Sequence, residues 1–147
     1  MAVHFEHTVV VSEGADRERP IAQRVPLAEP RKLSPHERGL IDHLTAHPLA
    51  KPELRLQADA ATVTGICSCG CPSVWLGIDP SAPSAAYSES DTTDARTGHV
   101  ALTAFQPKSR GTTEATLHVV KGRLFELEIW AGEGVRPRID RSKLEYA

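Results

Sequence analysis

The sequence predicts an α+β fold: one or two N-terminal helices packed on an antiparallel sheet of about four strands. Helix signals gather over residues 34–47, and from Ala61 onward the apolar period changes to two. Helical segments thus precede strand segments, and such segregation implies helices laid on one sheet face. A chain of 147 residues suits one domain and can bury a core without a disulfide or metal. The expected organisation is an extended or partly disordered arm over 1–32, an α+β domain over 33–135 and a polar tail over 136–147.

In the arm, Thr8 to Val11 suits a short strand, but the charged run Glu13 to Arg19 and then Pro20, Pro26 and Pro30 interrupt it. Ser34-Pro35-His36-Glu37 combines a capping hydroxyl, proline at the first helical position and glutamate three residues after the cap. Leu40, Ile41 and Leu44 supply one apolar face, which predicts a helix over 35–46, and Pro48 ends it. A second, shorter helix begins at Pro52 and runs through Leu54 and Gln57.

Thr62, Val63, Thr64 and Ile66 favour a strand, and Val74 to Ile78 reads as another. Asp79 to Gly98 has no periodic apolar face and reads as a long mobile loop that Tyr87 pins locally. Val100, Leu102 and Ala104 alternate until Pro107. In the last hairpin, a two-residue Lys121-Gly122 turn would set Leu117 and Val119 on the face opposite Phe125, Leu127 and Ile129. A three-residue loop, Val120-Lys121-Gly122, pairs Leu117 with Phe125 and unites the apolar sets, so it is the expected connection.

A net charge of −2, with Arg136, Arg138, Arg141 and Lys143 interleaved with Asp140 and Glu145, speaks against a nucleic-acid partner. Met-Ala-Val-His-Phe-Glu-His lacks the basic and apolar regions of a secretory signal, and no apolar stretch spans a bilayer. Three cysteines within five residues do not resemble a secreted disulfide framework, so the cytoplasm is the expected compartment.

Cys67, Cys69 and Cys71 are the first candidate site. Clustered thiolates suit soft cations, zinc being the cofactor considered. Strand geometry opposes it: residues two apart stand about 6.8 Å apart, whereas two sulfurs on one zinc lie roughly 3.8 Å apart. Gly70 and Pro72 supply a bend that favours Cys69 with Cys71, and a fourth ligand must come from elsewhere. Packing in the core is the plain alternative, since Val63 shares parity with all three cysteines; redox or nucleophilic chemistry is another.

His36, His43 and His47 lie on one side of the first helix, a row of solvent-touching histidines in the plain reading. His43 and His47, four apart, are candidates to complete a mixed Cys/His site. There is no H-E-x-x-H pattern, G-x-S-x-G, P-loop or dinucleotide fingerprint, and no catalytic residue is assigned. Glu126 and Glu128 fall opposite the inferred core as a solvated outer row, and Trp130 shares their parity. An exposed Trp there would anchor a protein partner, unless the N-terminal arm covers it.

Cys67, Cys69, Gly70, Cys71, Pro72, Ser73 and Val74, with Gly122, Leu124, Leu127 and Glu128, form a CxCGCPSV motif followed by a GxLxxLE hairpin. This pattern, over residues 50–135, resembles a group of uncharacterised bacterial proteins, some of which are similar to immunity proteins that bind and block a toxin. The resemblance implies no activity and maps no binding residue. The expected function is a non-enzymatic small binding protein, immunity-like, acting on a protein partner through Trp130, Glu126 and Glu128. The alternative is a structural or sensory metal-binding domain centred on the cysteines, and the third reading is a thiol-dependent enzyme.

Overall fold

A computed structural model describes residues 23–107, 112–132 and 139–147. Its elements are β1 (Arg24–Lys32), α1 (Pro35–Leu44), α2 (Pro52–Asp59), β2 (Thr62–Cys67), β3 (Val74–Gly77), β4 (His99–Pro107), β5 (Thr112–Val120), β6 (Arg123–Trp130) and β7 (Glu145–Tyr146). The strands form one antiparallel sheet in the order β1-β2-β3-β6-β5-β4-β7. The fold is α+β as expected, but the sheet is wider than about four strands. Among the described residues no helix is long and apolar enough to cross a membrane.

Helix α1 starts where the sequence places it. Ser34 Oγ accepts from the Glu37 N–H (3.1 Å), and Glu37 Oε1 accepts from the Ser34 N–H (2.8 Å). Arg31, at the end of β1, grips both Glu37 oxygens at 2.9 Å and so welds the strand to the helix start. Burial works against ionisation of Glu37, but Arg31 and Ser34 outweigh it and hold the carboxyl below its ordinary range. Leu40, Ile41 and Leu44 point into the sheet, α1 lying over β4 and β5 and α2 over β6.

Two of the seven strands, β1 and β7, lie in segments read as arm and tail. Among the described residues β1 pairs with β2 alone, so Pro26 and Pro30 sit on a rim strand, where a missing N–H is tolerated. The strand expected over residues 8–11 lies outside the described residues. At the other rim β7 pairs with Ala104 and Phe105 of β4, and Leu144 just before it packs in the core.

The hairpin register also differs from expectation. Lys121 and Gly122 form a two-residue turn with φ of 52° and 75°. Val119 pairs with Leu124 but His118 pairs with Glu126, so Phe125 is an extra residue. That bulge restores the parity that the turn alone would break: Leu127 faces Leu117 and Ile129 faces Ala115 in the core.

Gly122 is irreplaceable by geometry, since a Cβ there would come within 2.0 Å of Ala85 O. The 79–98 stretch is fastened to this turn. Ala85 N donates to Gly122 O (2.9 Å), and Arg123 donates to the carbonyls of Pro80 (3.0 Å) and Ala82 (2.9 Å). Tyr87 pins it from the other side through its hydroxyl on Leu49 O (2.8 Å).

Candidate metal centre

A second bulge sets the direction of the cysteine segment. Val63 faces Leu76 in the core, but the next pairs are Gly65 with Trp75 and Ile66 with Val74, leaving Thr64 as the extra residue. The alternation therefore reverses within β2. Ile66 shares the helix-side face with Val74, and Cys67 lies on the far face with Trp75 and its partner Glu126. The shared parity of Val63 and Cys67 in the sequence does not survive this bulge, and Cys67 is buried without joining the apolar core.

Beyond Cys67 the chain turns instead of extending. Gly70 N donates to Cys67 O (3.1 Å), and Gly70 has a φ of +83°, which glycine adopts without strain. Ser68 ties the turn to the start of β1: its N–H donates to Gln23 O and its Oγ accepts from Gln23 N, both at 2.8 Å. The turn defeats the strand-spacing objection. Cys67 Sγ and Cys69 Sγ are 3.1 Å apart, and all three sulfurs lie within 4.8 Å of one another. A disulfide would need about 2.05 Å, so these sulfurs are adjacent but unbonded. Cys71 N donates to Cys69 Sγ (3.4 Å).

Exposure runs outward along the motif: Cys67 is buried, Cys71 half-buried and Cys69 exposed. The Cys67 thiol is pushed up, first by its hydrogen bond with Cys71, then by burial and by Cys69. A nucleophilic cysteine needs the opposite shift. A soft cation, by contrast, displaces thiol protons on binding and holds the sulfurs as thiolates. Arg24 is the cross-strand partner of Cys67 and donates to Thr64 Oγ1 (3.0 Å), which sets a cation on the same face.

His43 and His47 do not join the cluster. Both sit at the rim of β7, which is five strand spacings, about 24 Å, from β2. The His43 ring lies 4.9 Å from the Tyr146 ring, whose hydroxyl donates to His43 O (2.7 Å). His47 Nδ1 accepts from Leu49 N, so its Nε2 donates to Ala147 O, both at 3.0 Å. The expected mixed Cys/His site is therefore corrected: these histidines fasten the C-terminal segment.

Nor is the acidic outer row solvated. Glu126 is fully buried and Glu128 is 8% exposed, while Trp130 is half-buried, so the carboxylates do not form an exposed patch. The N-terminal arm invoked as a cover for Trp130 lies outside the described residues over 1–22.

The far face instead holds a polar chain that the sequence reading missed. His118 Nε2 bonds Glu128 Oε1 (2.7 Å), His118 Nδ1 bonds His99 Nε2 (2.8 Å), and His99 Nδ1 contacts Thr93 Oγ1. The Glu128 carboxylate can only accept, so His118 donates to it through Nε2. Burial, then the neighbouring His118, holds His99 down at about 4, which keeps the His99 ring neutral. The clue lay in the register. With the two-residue turn and bulge, His118 faces Glu126 and lies diagonal to Glu128; the three-residue loop pairs His118 with Leu124 and hides the relation.

Comparison with known proteins adds no identity: no family model, curated protein or solved structure matches this chain.

Proposed function

We propose that this protein binds one soft metal ion, of the zinc class, through Cys67, Cys69 and Cys71. The observation that supports the reading is the convergence of three thiols within 4.8 Å on a turn that is itself tied to β1. Thiolates select zinc or cuprous copper over hard cations. The test is metal content per chain by inductively coupled plasma mass spectrometry, on untagged protein purified without chelator. Thiols are counted before and after chelation. The expected result is about one soft cation per chain, with thiol reactivity that appears only after chelation. Metal-free protein whose thiols react at once, and which takes up no added zinc, would reject the reading.

Binding of a protein partner without catalysis, immunity-like or otherwise, is the second reading. Its support moves from Glu126, Glu128 and Trp130 to the opposite face. There Val25 and Ile66, cross-strand neighbours, are 42% and 38% exposed. Val25→Asp and Ile66→Asp, scored for loss of a co-purifying partner with folding intact, test it.

A further inference from the structure

Resting on the metal reading above, we infer that Cys67 and Cys69 are a dithiol that a hydroperoxide closes into a disulfide, releasing the cation. The turn that gathers the sulfurs also grades their access. Cys69 stands with Ser68 and Gly70 on the exposed side, whereas Cys67 is buried at the end of β2. An oxidant arriving from solvent therefore meets Cys69 first. A partner for the second step is already in contact, because the Cys67 and Cys69 sulfurs are 3.1 Å apart. Closing that gap to a bond of about 2.05 Å takes a shift of roughly 1 Å. The surrounding bonds hold the pair in place. Ser68, between the two cysteines, is tied to Gln23 by two hydrogen bonds of 2.8 Å, and Cys71 N donates to Cys69 Sγ (3.4 Å). An accessible cysteine beside a resolving cysteine is the arrangement in which thiol oxidation is reversible.

With the cation bound, both sulfurs are thiolates. Cys69 Sγ attacks the terminal oxygen of the hydroperoxide: an S–O bond forms, the O–O bond breaks, and the departing alkoxide takes up a proton as alcohol. Cys67 Sγ then attacks the Cys69 sulfenic sulfur. The S–S bond forms, the S–O bond breaks, and the departing hydroxide takes up a second proton as water. Each sulfur gives up one electron, and the peroxide bond takes both. Two thiolates, one hydroperoxide and two protons thus become one disulfide, one alcohol and one water. A metal is held by thiolate, so the cation loses two of its sulfur ligands in this one event.

The experiment loads the full chain anaerobically with one equivalent of Zn²⁺ and titrates it with tert-butyl hydroperoxide. Alkylation and intact mass count the free thiols, and a chromophoric chelator reads the zinc set free. The expected result is a fall from three thiols per chain to one, with zinc released in step. No cross-linked dimer forms, and dithiothreitol restores both thiols. Cys71→Ser is expected to lose both of its remaining thiols. Cys69→Ser, a change at an exposed position, is expected to react at least about tenfold more slowly. Retention of three thiols, oxidation to sulfinic acid alone, or Cys69→Ser reacting at the native rate overturns the inference. So does a Cys71→Ser chain that keeps its thiols, because the disulfide then uses Cys71. Closure with zinc retained overturns the release. A chain that takes up no zinc rejects the metal reading and not the dithiol, which the same thiol count on metal-free protein then decides.

Discussion

Replacing Gln57 by leucine removes one side chain of nearly the same size and three hydrogen bonds. Gln57 is 1% exposed on the inner face of α2. Its Nε2 donates to Pro83 O and Gly122 O, both at 2.8 Å, and its Oε1 accepts from Leu124 N (2.9 Å). One amide thereby joins α2, the 79–98 stretch and the β5–β6 turn. The losses are unequal. Gly122 O keeps the donor Ala85 N at 2.9 Å, so it stays satisfied. Pro83 O lies toward the surface and loses about 0.5–1.5 kcal/mol with its bond. The Leu124 N–H is buried and left orphaned, at about 1–3 kcal/mol. Leucine creates no cavity, so the expected destabilisation is about 2–4 kcal/mol, a large share of the usual margin of a domain. Urea unfolding followed by the fluorescence of buried Trp75 measures it, and hydrogen exchange at Leu124 locates it. A loss under about 1 kcal/mol with an unchanged denaturant slope would refute the assignment of Gln57 as the fastener of this turn.

At the turn itself, Gly122→Ala meets Ala85 O and a φ of +75°, and a loss of about 3 kcal/mol is expected in the same assay. Lys121→Gly, at a φ of 52°, is expected to stay within about 1 kcal/mol or to stabilise. Ser34→Ala removes the helix cap and is expected to lose about 1 kcal/mol. Glu37, whose folded carboxyl is depressed, contributes stability that is present above its unfolded value near about 4.3 and is lost as pH falls through the folded value. Unfolding midpoints between about pH 3 and 6 should show that acid loss in the native chain and less of it in Glu37→Gln. His99 carries the same sign for a different reason. Its folded value of about 4 lies below the ordinary 6.5, so the unfolded chain takes up the proton first and stability falls as pH drops through that window. An NMR titration that finds the folded His99 ring protonating near 6.5 would disprove the neutral-ring assignment.

What could be read in the sequence followed from local chemistry, and what could not followed from pairing. Ser34, Pro35 and Glu37 act on their own backbone, so α1 was legible to within two residues. β1 was not, because Pro26 and Pro30 exclude an interior strand but allow a rim strand, and only the presence of β2 beside it decides. The bulges at Thr64 and Phe125 were equally silent. Each adds one residue, reverses a face and leaves composition untouched. The cysteine cluster was half legible. The residue types announced soft-metal chemistry, but the spacing argued against convergence until the Cys67–Gly70 turn and the Ser68 tie to Gln23 were seen. The Thr93–His99–His118–Glu128 chain needs three pairings to be correct at once.

The position of Pro26 and Pro30 has a consequence for solutions of this protein at high concentration. A sheet seven strands wide would go on adding strands from neighbouring molecules if its rim offered an unbroken row of donors. Two prolines within β1 interrupt that row, and the register slips between Pro26 and Arg31, so an arriving strand finds neither continuous donors nor a straight template. β1 is thereby a terminator of lateral growth as much as a member of the sheet. Restoring amides with Pro26→Val and Pro30→Val would turn the rim into a seed for intermolecular pairing, visible as concentration-dependent assembly in light scattering.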